Sequence, residues 1–238
     1  MRFLKSVYYW IIALLYFGPI LLILILRSYF QQPQSYDPWL KRRIVTLFKI
    51  LNSEPVVEFR EPLPVDQPLI FMANHTSLID IVVLKAYIPV YFRGILAHPQ
   101  FKYFIYGPAA KRIGSIPIHR DNVRLSLKSF KKAQELLEQG IHITVLPEGG
   151  RSTDGHLLPF KKLPFHFAKE SKATIIPMAI SGVFTMKSKD SFHLNPGNIV
   201  IRFGSPIPVD KITSMETEDL MQFTYTQIHS LLEPFEAG

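Results

Sequence analysis

From Ser6 to Leu26 no side chain carries a charge, and the positions are filled mainly by Leu, Ile, Tyr and Phe. The stretch matches the ~20 apolar residues that a helix needs to cross the hydrocarbon core of a bilayer. It is apolar all round, so it lacks the wet face of a soluble surface helix. A secretory signal fits less well, because its apolar stretch usually runs about 7–15 residues and no small-x-small cleavage site follows Leu26. The segment therefore reads as a membrane anchor. Gly18-Pro19 in its middle leaves two arrangements open, a kinked span or a helix that stays in one leaflet. Gln31–Pro38, polar and proline-bearing, reads as a hinge. Beyond it Leu40, Ile44, Leu47, Phe48 and Leu51 recur at helical spacing, accompanied by Trp39, Lys41, Arg42, Arg43 and Lys49. An amphipathic helix at the membrane interface has this pattern, and so does a helix packed on a domain.

After Asn52, apolar runs of strand length alternate with helical patterns. Strands are expected at Val56–Arg60, Leu69–Ala73, Val90–Ala97, Gly114–His119, Ile141–Leu146, Ala173–Ser181 and Asn198–Phe203. Helices are expected at Ser77–Tyr87, Phe101–Arg112, Asp121–Gln139, Lys161–Ser171 and within Val209–Pro234. The alternation predicts an α/β fold, a mostly parallel sheet flanked by helices on both faces, behind an N-terminal hydrophobic membrane-anchoring helix. The expected division is residues 1–54 for the anchor and amphipathic helix, and 55–238 for the α/β domain. In such sheets ligands bind beyond the carboxyl ends of the strands, so the residues just after each strand are where chemistry is sought.

Charge narrows the partner. The chain carries 27 Lys and Arg against 19 Asp and Glu, a net +8, which favours an anionic partner. The hydrophobic anchor and the scattered placement of the basic residues argue against nucleic acid and for a phospholipid membrane. Positive residues flank the anchor on both sides, but the larger cluster follows it, which puts the domain on the cytoplasmic face. There is no cysteine. That excludes disulfides, thiolate metal sites and a catalytic thiol. The histidines show no ligand spacing, so no metal site is expected.

Three strand ends carry distinctive chemistry. In Asn74-His75-Thr76-Ser77-Leu78-Ile79-Asp80, a histidine precedes an aspartate by five positions. A carboxylate that holds one ring nitrogen leaves the other to take a proton from a hydroxyl. Five helical residues would put the two side chains ~140° apart, so the pair meets only if His75 sits in the turn before the helix and Asp80 reaches back from within it. In Gly114-Ser115-Ile116-Pro117-Ile118-His119-Arg120, an apolar strand delivers an arginine, a side chain suited to clamping phosphate. In Pro147-Glu148-Gly149-Gly150-Arg151-Ser152, two glycines permit close backbone approach to a ligand. No G-K-[ST] follows, so it is not a nucleotide P-loop.

In order and spacing, His-x4-Asp, Gly-x-Ile-Pro-Ile-x-Arg, Pro-Glu-Gly-x-Arg-Ser and the proline-bearing strand Ile175-Ile176-Pro177-Met178 resemble the glycerolipid acyltransferase family over roughly Pro68 to Phe203. The resemblance implies transfer of an acyl group from acyl-CoA or acyl-ACP (acyl carrier protein) to a lysophospholipid hydroxyl, with 1-acyl-glycerol-3-phosphate as the leading acceptor. It implies no cofactor beyond that co-substrate. It also implies roles: His75 as general base, Asp80 as its orienting partner, and Arg120, Glu148, Gly149 and Arg151 in binding the acceptor's phosphate. The sequence departs from the common family pattern where Gly150 replaces a threonine, where Leu163-Pro164 follows Phe160-Lys161-Lys162 in place of a glycine, and where His119 precedes Arg120. These departures bear on which acceptor is used. A thioesterase- or lipase-type hydrolase and a non-catalytic membrane-binding relative remain the rival readings.

Overall fold

The computed structural model describes residues 2–233. Pro234, the expected limit of the C-terminal helical region, lies outside them. Seven strands form one sheet: β1 (Val56–Phe59), β2 (Leu69–Ala73), β3 (Phe92–Ala97), β4 (Ile116–Ile118), β5 (His142–Val145), β6 (Thr174–Ser181) and β7 (Val200–Phe203). Their order is β1-β7-β6-β2-β5-β3-β4. All neighbours are parallel except β6 and β7. The β1–β7 pair therefore runs opposite to the rest.

The central strand β2 is buried along its whole length, which is why it reads as a continuous apolar run instead of an alternating one. Its side chains alternate between two cores. Leu69, Phe71 and Ala73 face one core, shared with the N-terminal helices α1 (Arg2–Arg27) and α2 (Pro33–Ile50) and with α3 (Ile79–Tyr87). Ile70 and Met72 face the other, shared with α5 (Val123–Glu138), α6 (Leu163–Ser171), α8 (Val209–Ser214) and α9 (Thr217–Leu232). Between these groups in sequence lies α4 (Tyr106–Arg112), and the short α7 (Val183–Met186) falls between α6 and α8. The sheet is thus mostly parallel and covered by helices on both faces, as the alternation implied.

Three expectations are corrected and one open alternative is decided. The hinge at Gln31–Pro38 is mostly helix: α2 starts at Pro33, where a missing N–H is harmless, and continues through Pro38. The apolar stripe of α2 faces protein: Leu40, Ile44, Leu47, Phe48 and Leu51 are all buried in the core. Periodicity identified that face but not what would cover it. The expected helix Phe101–Arg112 is split into a 3-10 turn (His98–Lys102), a loop, and α4, because Ile105 takes a positive φ of 51°. The long helix expected over Asp121–Gln139 is α5, Val123–Glu138, and it is capped by Asn122, whose side chain accepts from the Leu125 N–H at 3.0 Å.

Helix α1 is long and apolar enough to cross a membrane, and it runs through Pro19. It also lies along the domain. The Trp10 Nε1–H donates to the Phe192 carbonyl at 2.8 Å, the Ser6 hydroxyl contacts His193 and Leu194, and Leu24 is fully buried.

Candidate active site

The site is built on the turn between β2 and α3, at the carboxyl edge of the sheet. Asn74 pins the end of β2 to β6: its side chain donates to the Ile180 carbonyl at 3.0 Å and accepts from the Ile180 N–H at 2.7 Å. His75 follows, buried, in the turn that the spacing required. The ring Nδ1 meets Asp80 Oδ2 at 2.9 Å. The same oxygen accepts the Thr76 and Ser77 N–H groups, each at 2.7 Å. Asp80 sits in the first turn of α3, where the helix dipole favours a carboxylate. Three converging donors fix the carboxylate, and with Nδ1–H as a donor the His75 Nε2 is left as the acceptor of a proton.

Those bonds also take N–H groups near the helix start out of use as oxyanion donors: Thr76 and Ser77 give theirs to Asp80, and the Ile79 N–H meets the Ser77 hydroxyl at 3.3 Å. The Ser77 hydroxyl itself donates to the Lys187 carbonyl at 2.6 Å. It points away from a nucleophile's duty.

Glu148 is placed beneath this turn, and both of its carboxylate oxygens are engaged by backbone donors. It is buried. Its Oε1 accepts the His75 N–H at 2.5 Å and its Oε2 accepts the Leu158 N–H at 2.9 Å. Burial pushes its carboxyl up to about 7, against the opposing pull of these two backbone donors. Nearby, the Ser152 N–H donates to the His75 carbonyl at 2.9 Å. The Pro147–Ser152 loop therefore grips the backbone of His75 from both sides. This link joins residues that lie 73 apart in the chain, and it exists because β2 and β5 are neighbours. Residue identity alone gave no signal for it.

A cleft of about 300 Å³ opens beside His75. Arg120, Gly149, Lys161 and Lys162 supply its polar part. Ile81, Leu96, Ile118, Val123, Phe130 and Leu163 supply an apolar wall. Gly149 has φ +69°, and a side chain there would press on Lys161, so glycine keeps the cleft floor open. Arg151 is close enough to Arg120 that its charge, after partial desolvation, helps hold the Arg120 guanidinium below its ordinary pKa. The same charge acts on Lys187, whose pKa is lowered first by desolvation. Asp121 acts on Arg120 and Asp190 on Lys187 in the opposite sense, but the basic groups gathered here outnumber them, which favours an anion. The structure thus brings His75, Asp80, Arg120, Gly149 and Arg151 together, and places Glu148 behind them. Lys161, from the Phe160-Lys161-Lys162 segment, joins them at the cleft. His142 is a buried histidine of β5 that accepts the Leu69 N–H at 3.2 Å and ties β5 to β2.

Residues 54–181 match the protein-family model described as Acyltransferase. Among curated proteins, the chain is 30% identical over 157 residues to a 1-acyl-sn-glycerol-3-phosphate acyltransferase of Limnanthes douglasii, covering 66% of this chain and 56% of that protein. It is 27% identical over 173 residues to the human 1-acyl-sn-glycerol-3-phosphate acyltransferase alpha, covering 72% and 60%. The chain spans about half the length of the plant relatives it matches, 56% and 46% for those of Limnanthes douglasii and Cocos nucifera. Among solved structures, the 1-acyl-sn-glycerophosphate acyltransferase PlsC of Thermotoga maritima superposes with a TM-score of 0.80 over 97% of this chain and 94% of that one, at 24% identity. That likeness concerns the fold.

Proposed function

The chain belongs to the acyltransferase family, and from that premise we propose that it is a membrane-bound O-acyltransferase that moves a fatty acyl group from acyl-CoA or acyl-ACP to the hydroxyl of a lysophospholipid. The leading acceptor is 1-acyl-glycerol-3-phosphate, which would yield phosphatidic acid. The observation that carries this reading is the buried His75–Asp80 pair, at 2.9 Å, on a cleft that is basic at one part and apolar at another.

In this reading the acceptor's phosphate rests on Arg120, Arg151 and Lys161, and its hydroxyl is held near His75 Nε2. The ring takes the hydroxyl proton as the oxygen attacks the thioester carbonyl, forming the C–O bond. Asp80 stabilises the imidazolium. Collapse of the tetrahedral intermediate breaks the C–S bond, and the leaving sulfur takes the proton from His75 to depart as a thiol. No enzyme nucleophile is involved, so the absence of cysteine is no obstacle. The phosphate clamp supplies orientation, and the apolar wall suits the acyl chain.

Helix α1 anchors the enzyme. Its attachments to the domain at Ser6, Trp10 and Leu24 favour the in-leaflet arrangement. A helix held along a water-soluble domain at both ends cannot cross the bilayer without dragging that domain inside. The basic residues that follow α1 favour the cytoplasmic face. The test is acyl transfer by the detergent-solubilised protein from a palmitoyl thioester to a panel of lyso-acceptors, wild type beside His75→Ala. Transfer to a phosphate-bearing acceptor, abolished by the substitution, is the expected result. Free fatty acid as the main product, or equal rates in the two proteins, refutes it.

A further inference from the structure

Phe104 has the most exposed large apolar side chain among the described residues, 91% exposed. It lies with Tyr103, also exposed, in the loop between the 3-10 turn and α4. The loop is held closed. At its base Phe101 is buried against Leu96 and Ala110. Gly107 packs so tightly there that a Cβ would lie 2.3 Å from the Phe101 carbonyl oxygen. The Gly107 N–H donates to the Tyr103 carbonyl at 2.8 Å, and the Tyr106 N–H meets the Phe104 carbonyl. Ile105 keeps a positive φ of 51°, which a β-branched residue disfavours. The base is fixed and the aromatic tip is turned to the outside. A lone exposed aromatic is ordinary, but a constrained pair held outward is not.

The helix that follows the tip packs on α1: Tyr106, the first residue of α4, borders the same apolar space as Phe17 and Leu21. On the outward side of α1, Ile11, Leu14, Leu15 and Leu22 are exposed. Exposed Lys102 and Lys111 flank the loop. We propose that Tyr103 and Phe104 insert into the same leaflet as α1 while Lys102 and Lys111 meet anionic headgroups, giving the protein a second membrane contact. The occupant is an anionic bilayer, because the apolar tip adjoins the helix that packs on the membrane anchor α1 and the flanking charge is positive. One helix lying in an interface leaves the domain free to roll about it, and a contact off that axis removes the freedom. Ala97 and Gln100, which lead into this loop, line the cleft, so insertion holds the cleft mouth at the lipid surface where a lyso-lipid resides.

The proposal rests on α1 being in the membrane, and the test separates the two. With no native cysteine, single-cysteine variants Phe104→Cys, Leu15→Cys and Leu127→Cys can each carry one environment-sensitive dye in nanodiscs of anionic lipid. Half the discs contain a lipid-borne quencher near the headgroup end of the acyl chain. Leu127 is exposed on α5, across the sheet from α1. Quenching at 104 within about twofold of that at 15, with none at 127, is the expected result. Quenching at 15 but not at 104 overturns the proposal and spares the anchor. Quenching at neither position overturns both. A dye shift at 104 that follows protein concentration without quenching assigns the patch to contact between copies, and the proposal falls. Tyr103→Ser with Phe104→Ser is expected to slow acylation of a vesicle-embedded acceptor about fivefold while sparing a short-chain soluble one; equal effects on both would also overturn it.

Discussion

Replacing Asp80 with asparagine isolates one physical quantity, the negative charge beneath His75. The Oδ2 atom accepts from His75 Nδ1, Thr76 N and Ser77 N at 2.9, 2.7 and 2.7 Å. Two of these donors are backbone groups with no freedom to turn away. They will select the asparagine rotamer that presents its carbonyl oxygen, so the third bond and the ring tautomer survive. What disappears is the charge that stabilises the imidazolium as the proton arrives. Two unit charges at this separation attract by about 6 kcal/mol in an effective dielectric of ~20. The backbone donors already neutralise part of the carboxylate, so roughly half of that, about 3 kcal/mol, is expected in the barrier, or a loss of about 100-fold in kcat. The KM for the acceptor is expected to stay within about twofold, because Asp80 is buried and absent from the cleft lining. Asp80→Ala differs in kind. It leaves the Thr76 and Ser77 N–H groups buried without an acceptor, a penalty of about 1–3 kcal/mol for each, so its melting temperature falls as well. The assay is release of free thiol from the acyl thioester, read with a thiol reagent; the protein has no cysteine to contribute background. A kcat within threefold of wild type for Asp80→Asn, at equal stability, would refute the charge argument. A loss confined to KM would make Asp80 a binding group instead.

Other outcomes follow from the same geometry. Glu148 is raised to about 7 by burial, so the stability it contributes is full below about pH 4.5 and is lost as pH climbs through about 7, a span of roughly 3 kcal/mol. Denaturation profiles of Glu148→Gln should be flatter over that window, and a slope equal to wild type would refute the assignment. In the acyl-transfer assay Glu148→Ala should lower kcat more than it raises the acceptor KM, since it frees the His75 N–H; a pure KM effect would restore the phosphate-binding role. Arg120→Ala should raise the KM for a phosphate-bearing acceptor about 10–100-fold, the worth of one charge-assisted hydrogen bond, with Arg120→Lys intermediate and the thioester KM little changed. Asp37 of α2 pairs with Lys41 at 3.1 Å and with the buried Lys85 of α3, whose pKa burial lowers. Asp37→Ala strands that ammonium and should cost about 3–5 kcal/mol in denaturant unfolding, whereas the double variant Asp37→Leu with Lys85→Met should lie near wild type.

Much of the frame was legible before any coordinates. The strand Leu69–Ala73 was read to the residue, because a strand buried on both faces leaves an unbroken apolar run between polar ends. For His75 and Asp80 the spacing set the condition, a turn followed by a helix start, and the resemblance carried by the four motifs together supplied the pairing. The mostly parallel sheet followed from the alternation of elements. Local interactions govern all three, and local interactions are written in consecutive residues. What a face meets is another matter. The stripe of α2 has the same period whether lipid or protein covers it, and the core decided for protein. The left-handed backbone at Ile105 breaks the expected Phe101–Arg112 helix, and no intrinsic preference of isoleucine points that way. The reversed direction of the parallel pair β1 and β7, set by the antiparallel contact of β7 with β6, depends on how the connection after β6 returns. Glu148 is the sharpest case. Its motif marks it as important, but its use beneath His75 depends on two strands becoming neighbours from opposite parts of the chain. Sequence by itself determined the elements and the chemistry available at their ends. Tertiary structure alone decided which partner each polar group and each apolar face would find, because those energies are set by contacts between residues that the chain keeps far apart.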